Sequence, residues 1–288
     1  MDTPAADIAV DEPLVRRLLR SQHPDLADLP LVLVASGWDN VLYRLGDDLV
    51  VRLPRRLVAA ELVVHEQRWL PGIAERVSVA VPSPVRVGTP QPEFPFPWTI
   101  ARWLVGDLAS ETDGAGFATD LARFVRELHT TAPADAPVNP VRGVPLRSRD
   151  AALRSRLESG AVTRAAELGR LWDRALGAPE WPGPPQWLHG DLHPANVLLR
   201  DGTLAAVLDF GDVCGGDPAT DLATAWLSFD EAGRDDFRHA LDYDESTWLR
   251  ASGWALLLAT ALVTNSADNP AMHRIGERAL QRLAPPES

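Results

Sequence analysis

Asp191, Asn196 and Asp209 are the side chains whose types and spacing say most about what chemistry this chain could do. They belong to the run Trp187-Leu188-His189-Gly190-Asp191-Leu192-His193-Pro194-Ala195-Asn196 and to the later Leu208-Asp209-Phe210-Gly211. One carboxylate can orient or deprotonate a hydroxyl, while an amide oxygen and a second carboxylate can hold a divalent cation. Phosphoryl transfer needs that combination. Pro194 keeps the segment between Asp191 and Asn196 from being an ordinary helix. Val197 to Arg200 and Thr203 to Leu208 are β-prone runs around Asp201-Gly202, the strongest short-range hairpin signal. With Arg200 opposite Thr203, Asn196 is expected to face Val207, and Asp209 to lie two residues further along. At about 3.4 Å per residue, this brings amide and carboxylate within reach of one ion.

His189-Gly190-Asp191 with Asn196 resembles the catalytic loop of the kinase-like fold, and Asp209-Phe210-Gly211 resembles that fold's metal-binding motif. His-Gly-Asp in place of the protein-kinase His-Arg-Asp, followed by Gly216-Asp217-Pro218-Ala219-Thr220-Asp221-Leu222-Ala223, is similar to the aminoglycoside phosphotransferase family. The resemblance implies a bilobal α+β fold of protein-kinase type. A small β-rich lobe with one main helix (1–104) would precede a larger, mainly helical lobe (105–288), with nucleotide bound between them. It also implies ATP or GTP as donor, Asp191 at the acceptor hydroxyl, and Mg2+ on Asn196 and Asp209. His189 is then loop support, Asp221 holds the loop backbone, and Asp217 caps a helix that begins at Pro218. An antibiotic of aminoglycoside, macrolide or nucleoside type is the first acceptor class. A metabolite such as a sugar, a choline-like alcohol or homoserine is the second, and a nucleotide-binding pseudoenzyme is the reading from another class.

The nucleotide lobe departs from the pattern. Kinase-like enzymes carry a lysine on the third strand, but this chain contains no lysine, and all 28 of its basic residues are arginine. Val50-Val51-Arg52-Leu53-Pro54 puts Arg52 at that position, with Glu66 as the expected partner and Glu61 as the alternative. Arginine keeps the charge and can grip a carboxylate bidentately, although its planar head changes the phosphate geometry. Ser36 to Asn40 stands where a phosphate loop would be, with Ser36 and Asn40 as expected contacts. Trp103 and Leu104 fall where hinge backbone would meet the base.

The acceptor site is the least legible part. Asp230, Glu231, Asp235 and Asp236 are candidates by region alone, and the ten tryptophans offer a flatter, less charged pocket instead. Charge is uneven: 13 acids and 11 bases in 1–104, against 27 and 17 in 105–288. An acidic second half argues against a nucleic-acid partner and suits a cationic small molecule. The single cysteine, Cys214, excludes an internal disulfide, fits a reducing compartment and reads as a small buried hydrophobe. His189 and His193 lack partners at zinc-ligand spacing. Met1 to Glu12 has no apolar h-region, and the apolar run Trp254 to Val263 is shorter than a membrane span. A cytoplasmic protein, monomeric or homodimeric, is expected.

The elements that must position these residues follow from periodicity. A helix is expected over Asp11 to Arg20, and strands over Leu31–Ala35, Val41–Leu45, Leu49–Leu53, Val77–Val81, Val85–Val87 and Trp98–Leu104. A helix over Arg56 to Glu75 is at risk of breaking at Pro71. Beyond a short linker at Arg102–Gly106, helices are expected over Phe117–His129, Ala151–Leu176, Thr220–Ser228, Glu231–Ala240, Ser246–Thr264 and Pro270–Leu283. Proline-rich loops cover Ala132–Arg149 and Ala178–Pro185.

Overall fold

Three β-prone runs separated by short polar turns pair antiparallel in chain order, as short connections dictate. In the computed structural model, which describes residues 5–111 and 116–284, these are β1 (Leu31–Ser36), β2 (Asn40–Leu45) and β3 (Leu49–Pro54). The first four residues of the acidic amino-terminal stretch lie outside that range. β4 (Pro84–Gly88) and β5 (Trp98–Arg102) complete a five-stranded antiparallel sheet of order β1-β2-β3-β5-β4. α1 (Glu12–Gln22), N-capped by Asp11, buries Leu14, Val15, Leu18 and Leu19 in a core with Tyr43, Leu45, Val51, Trp98 and Ile100. α2 (Leu57–Ala74) runs through Pro71 rather than ending there. The proline sits in the last turn, where its ring disturbs only the final bonds, and buried Leu70 and Ile73 anchor both sides.

Val77 to Val81 is not a strand. Val77, Val79 and Val81 alternate inward as the period-two pattern predicts. However, the Ser78 amide donates to the Glu127 carboxylate (2.6 Å) instead of joining a ladder. Alternation reports burial on one side and says nothing about a neighbouring strand. Contacts divide the described chain into two units: the sheet unit, up to Arg76 plus Ala80–Val105, and a helical unit, Val77–Val79 plus everything from Gly106 onward.

The helical unit begins with β6 (Asp107–Leu108) and α3 (Ala118–Leu128). The single helix expected over Ala151–Leu176 is two, α4 (Asp150–Glu158) and α5 (Ala165–Gly177), separated where Gly160 and Arg164 take positive φ. Next come β7 (Gln186–Leu188), β8 (Val197–Arg200), β9 (Thr203–Val207) and β10 (Cys214–Gly216); β10 pairs with β7, and β6-β8-β9 form a second small sheet. The close is helical: α6 (Ala219–Leu222), α7 (Thr224–Ser228), α8 (Glu231–His239), α9 (Glu245–Asn265) and α10 (Pro270–Leu283). α9 is buried on all sides from Thr247 to Thr260 except at Leu249, and packs against α4, α5, α6, α7 and α10. A helix buried all round is a core helix, and no described helix is long and apolar enough to cross a membrane.

Candidate active site

Asp201 (φ 52°) and Gly202 (φ 77°) both adopt left-handed backbone, the type I′ geometry that suits a right-twisted hairpin, and connect β8 to β9. Arg200 pairs with Thr203, but Ala205 is bulged, so Val197 rather than Asn196 faces Val207. Asn196 faces Leu208 instead, whose amide donates to the Asn196 carbonyl (2.8 Å). Asp209 therefore lies one residue beyond Asn196's partner, closer than the unbulged register predicts. It takes φ 56°, unusual for a residue with a side chain. The Asn196 Nδ2 donates to the Asp191 carbonyl (2.9 Å), which leaves the amide oxygen as the side chain's remaining donor atom for a cation.

The loop carrying Asp191 is held from beneath. The two oxygens of the buried Asp221 carboxylate accept the backbone amides of His189 (2.7 Å) and Gly190 (2.8 Å). His129 Nε2 also meets Asp221 Oδ2 (3.1 Å), and its Nδ1 meets the Tyr243 hydroxyl (2.8 Å). Burial alone would raise the Asp221 carboxyl, but the hydrogen bond and charge of His129 outweigh it and hold it below the usual range. His189 Nδ1 accepts the Asp191 amide (3.2 Å), so its Nε2 carries the proton and donates to the Leu208 carbonyl (2.8 Å). His189 thus ties the loop to the strand leading to Asp209, and its ring packs on Phe210 (4.6 Å between centroids). Asp217 accepts from the Ala219 amide and forms a buried two-point ion pair with Arg250 (2.7 and 3.2 Å).

Asp191 is 30% exposed at its side chain, and both its oxygens have partners. Arg142 Nη2 donates to Oδ1 (3.2 Å), and His193 Nε2 lies 3.3 Å from Oδ2. Burial would raise this carboxyl, but His193 and Arg142 outweigh it and hold it well below the usual carboxylate range. A carboxylate that acidic orients a hydroxyl better than it deprotonates one. Arg142 lies 49 residues from Asp191 in sequence, in a proline-rich loop, so no local pattern marks it. Cys214 is fully buried and burial pushes its thiol up, which makes it an inert core group.

In the sheet unit, Arg52 Nη1 donates to Glu66 Oε1 (2.5 Å), with the side chains 16% and 5% exposed. With its amide oriented oxygen-inward, Asn40 accepts from Arg52 Nε (3.2 Å) and Nη2 (2.9 Å), so Asn40 serves Arg52 as well as the turn. Arg55, unmarked in the sequence, holds that turn through the Gly37 carbonyl (2.9 Å) and Ser36 Oγ (3.4 Å). The Trp103 amide is already committed to the Asp48 carbonyl (2.7 Å), while Leu104 is half-buried just beyond the end of β5.

The acidic candidates on α8 do not converge. Asp230 is the helix N-cap, accepting from the Gly233 amide (2.9 Å), and Glu231, Asp235 and Asp236 stand exposed. Among the described residues, no three His, Cys, Asp or Glu side chains gather as a metal cage. An ion on Asn196 and Asp209 would take its remaining oxygens from phosphates and water, as magnesium does.

The structure resembles the GDP complex of wild-type aminoglycoside 2'-phosphotransferase-IIIa, with a TM-score of 0.72, 20% identity, and coverage of 95% of this chain and 98% of that one. It also resembles the apoenzyme of macrolide 2'-phosphotransferase MphH from Brachybacterium faecium, with a TM-score of 0.61, 24% identity, and coverage of 96% and 99%. A Bacillus subtilis (strain 168) relative, "Uncharacterized protein YcbJ", is 25% identical over 237 residues, covering 74% of this chain and 75% of the relative. These likenesses establish the kinase-like α+β fold, an antiparallel five-stranded sheet with α2 followed by a mainly helical part. The profile of the phosphotransferase enzyme family matches residues 30–254, which include every residue described above at Asp191 and Arg52, and the chain belongs to that family.

Proposed function

We propose that this protein transfers the γ-phosphoryl group of ATP or GTP to a hydroxyl of a small molecule in a magnesium-dependent reaction. The observation carrying the proposal is the partly exposed Asp191 carboxylate on a loop whose backbone is fixed by Asp221, with Asp209 one residue beyond the strand partner of Asn196. Phosphoryl transfer has little covalent chemistry for the protein to perform, so positioning and charge stabilisation dominate. Asp191 orients the acceptor hydroxyl. Asn196 and Asp209 hold magnesium, which when bound offsets phosphate charge. Arg52, steadied by Glu66 and Asn40, is the cation for the nucleotide phosphates. Ser36, Trp103 and Leu104 are secondary nucleotide contacts, with Trp103 limited to its carbonyl and ring.

The named antibiotic kinases among the similar structures support an antibiotic acceptor as the leading class. A metabolite alcohol is the second reading, favoured by Arg142 at Asp191, since a guanidinium there repels a polycationic acceptor. A thermal-shift titration with magnesium and ATP or GTP, repeated on Asp209→Ala, tests the nucleotide half. A nucleotide-consumption screen over antibiotics and alcohols, with Asp191→Ala as blank, tests transfer. No metal-dependent stabilisation by either nucleotide would remove the reading altogether.

A further inference from the structure

The helical unit carries an open pocket of about 510 Å³ whose lining includes Arg142, the partner of Asp191, together with Arg147, Glu180, Trp181, Asp217 and Arg250. Asp217 is matched by Arg250 and Arg142 by Asp191, so the lining charges left over are Arg147 and the exposed Glu180, while Arg142 keeps donors beyond its one bond to Asp191. Arg142 spans from this pocket to the catalytic carboxylate. Its one hydrogen-bond acceptor among the described residues is Asp191 Oδ1, and its Nε is buried with no partner. A buried donor without an acceptor is destabilising, and a ligand oxygen that reaches it relieves this. Arg149 repeats the pattern, with a buried Nε that lacks an acceptor. Burial and the nearby Arg142 charge both lower its pKa.

Arg142 is also preorganised. Asn139 Oδ1 accepts the amides of Val141 (2.9 Å) and Arg142 (3.1 Å), while Asn139 Nδ2 donates to Asp212 (2.6 Å). Further along, the Gly143 amide donates to Thr220 Oγ1 (3.1 Å) and the Gly143 carbonyl accepts the Asp217 amide (2.9 Å). A loop fastened at these points presents its guanidinium without an ordering cost on binding.

We infer that the acceptor carries a carboxylate or phosphate group, held in this pocket by Arg142 and Arg147, with its hydroxyl reaching Asp191. Arg142 is then the specificity-determining residue: it steadies Asp191 through Nη2 and offers its other donors to the acceptor's oxyanion. Polycationic acceptors are disfavoured by the same charges that bind the anion. The inference rests on the phosphotransferase reading above and takes its metabolite acceptor in preference to the antibiotic one.

A matched set of sugars tests it: glucosamine, glucose, gluconate and glucose 6-phosphate. Binding is measured by calorimetry on the full chain, with and without saturating magnesium and a non-hydrolysable nucleotide. The expected result is that gluconate or glucose 6-phosphate binds about tenfold or more tighter than glucose, a difference near 1.4 kcal/mol. Glucosamine should bind weakest. The two anions distinguish a carboxylate from a phosphate preference. Arg142→Gln should abolish the preference, and Arg147→Gln, at an exposed residue that leaves Asp191 untouched, should reduce it. Failure of both anions to bind, tighter binding of glucosamine, or an anion preference unchanged in both variants overturns the inference. Absence of nucleotide-dependent stabilisation in the sugar-free control would instead count against the phosphotransferase reading, so the two failures are distinguishable.

Discussion

Arg52 reaches Glu66 across fourteen residues of sequence and closes a 2.5 Å ion pair inside the sheet unit, while two of its other nitrogens face Asn40. One guanidinium thereby serves two neighbours through different edges, a geometry that an ammonium cannot reproduce. Removing Glu66 leaves a guanidinium that is 16% exposed with its carboxylate gone. Glu66→Ala should lower stability by about 3 kcal/mol, read from the urea midpoint. Arg52→Lys should retain the Glu66 contact, lose the Asn40 one, and weaken nucleotide binding less than Arg52→Ala does. Equal nucleotide affinity in wild type and Arg52→Ala would remove Arg52 from the nucleotide site.

Asp191 leads to a pH prediction. His193 and Arg142 hold its carboxyl well below the ordinary value of about 3.9, and the ionised form is the one that orients a hydroxyl. The acid limb of kcat/KM belonging to Asp191 should therefore lie below the ordinary carboxylate range. In Arg142→Gln one of the cations lowering this pKa is gone, so that limb should move toward higher pH. Asp191→Ala should reduce kcat by roughly 10²–10⁴ while leaving magnesium–nucleotide stabilisation intact. A pH–rate profile on both proteins checks the direction, and an acid limb that stays put in Arg142→Gln counts against the clamp.

The local parts of this site were legible because they depend on short-range rules. Asp201-Gly202 gives its turn through two positive φ values, and the segment from Pro194 to Asn196 is a short 3₁₀ turn instead of an ordinary helix. What was not legible depended on chain far away or on a local irregularity. The bulge at Ala205 shifts the Asn196 register by one residue, and no residue preference announces it. Arg142 and His129 act on Asp191 and Asp221 across 49 and 92 residues, separations over which periodicity carries no information. The valines 77, 79 and 81 misled in the opposite direction, since inward alternation is the same for a laddered strand and an extended segment that forms no ladder. The acids of α8 were candidates by region only, and exposure together with the capping role of Asp230 describes them better.

Asp221 makes acid stability a readout of the loop. Its folded pKa is depressed, so its contribution is fully present above the unfolded carboxylate value and is lost as pH falls through the folded value. Wild type should lose stability as pH falls below about 4, and Asp221→Asn should show a flatter profile with lower stability at neutral pH. Asp221→Ala strands two buried amides as well, at about 1–3 kcal/mol each. Urea midpoints at a series of pH values measure both. Parallel profiles for wild type and Asp221→Asn would mean that the charge of Asp221 does not support the loop.

Gly190 separates His189 and Asp191, and no side chain fits there. Its φ is +85°, and a Cβ at that position would stand 2.4 Å from the Asp212 carbonyl oxygen and 2.9 Å from the Asp212 Cβ. The first clash is with backbone, which cannot swing aside as a flexible side chain would. Asp212 is itself held by Asn139 through a 2.6 Å hydrogen bond. Gly190→Ala therefore combines left-handed strain of roughly 1 kcal/mol with displacement of a packed segment. The expected total is at least about 2 kcal/mol, the range of core overpacking. The displacement should also pull the Gly190 amide from Asp221 and move Asp191, so turnover should fall further than stability alone predicts. Comparing the urea midpoint with kcat on the folded fraction separates these effects. A Gly190→Ala protein with wild-type kcat would mean that the loop tolerates a shift of Asp212, and that Asp191 is positioned without the tight packing described here.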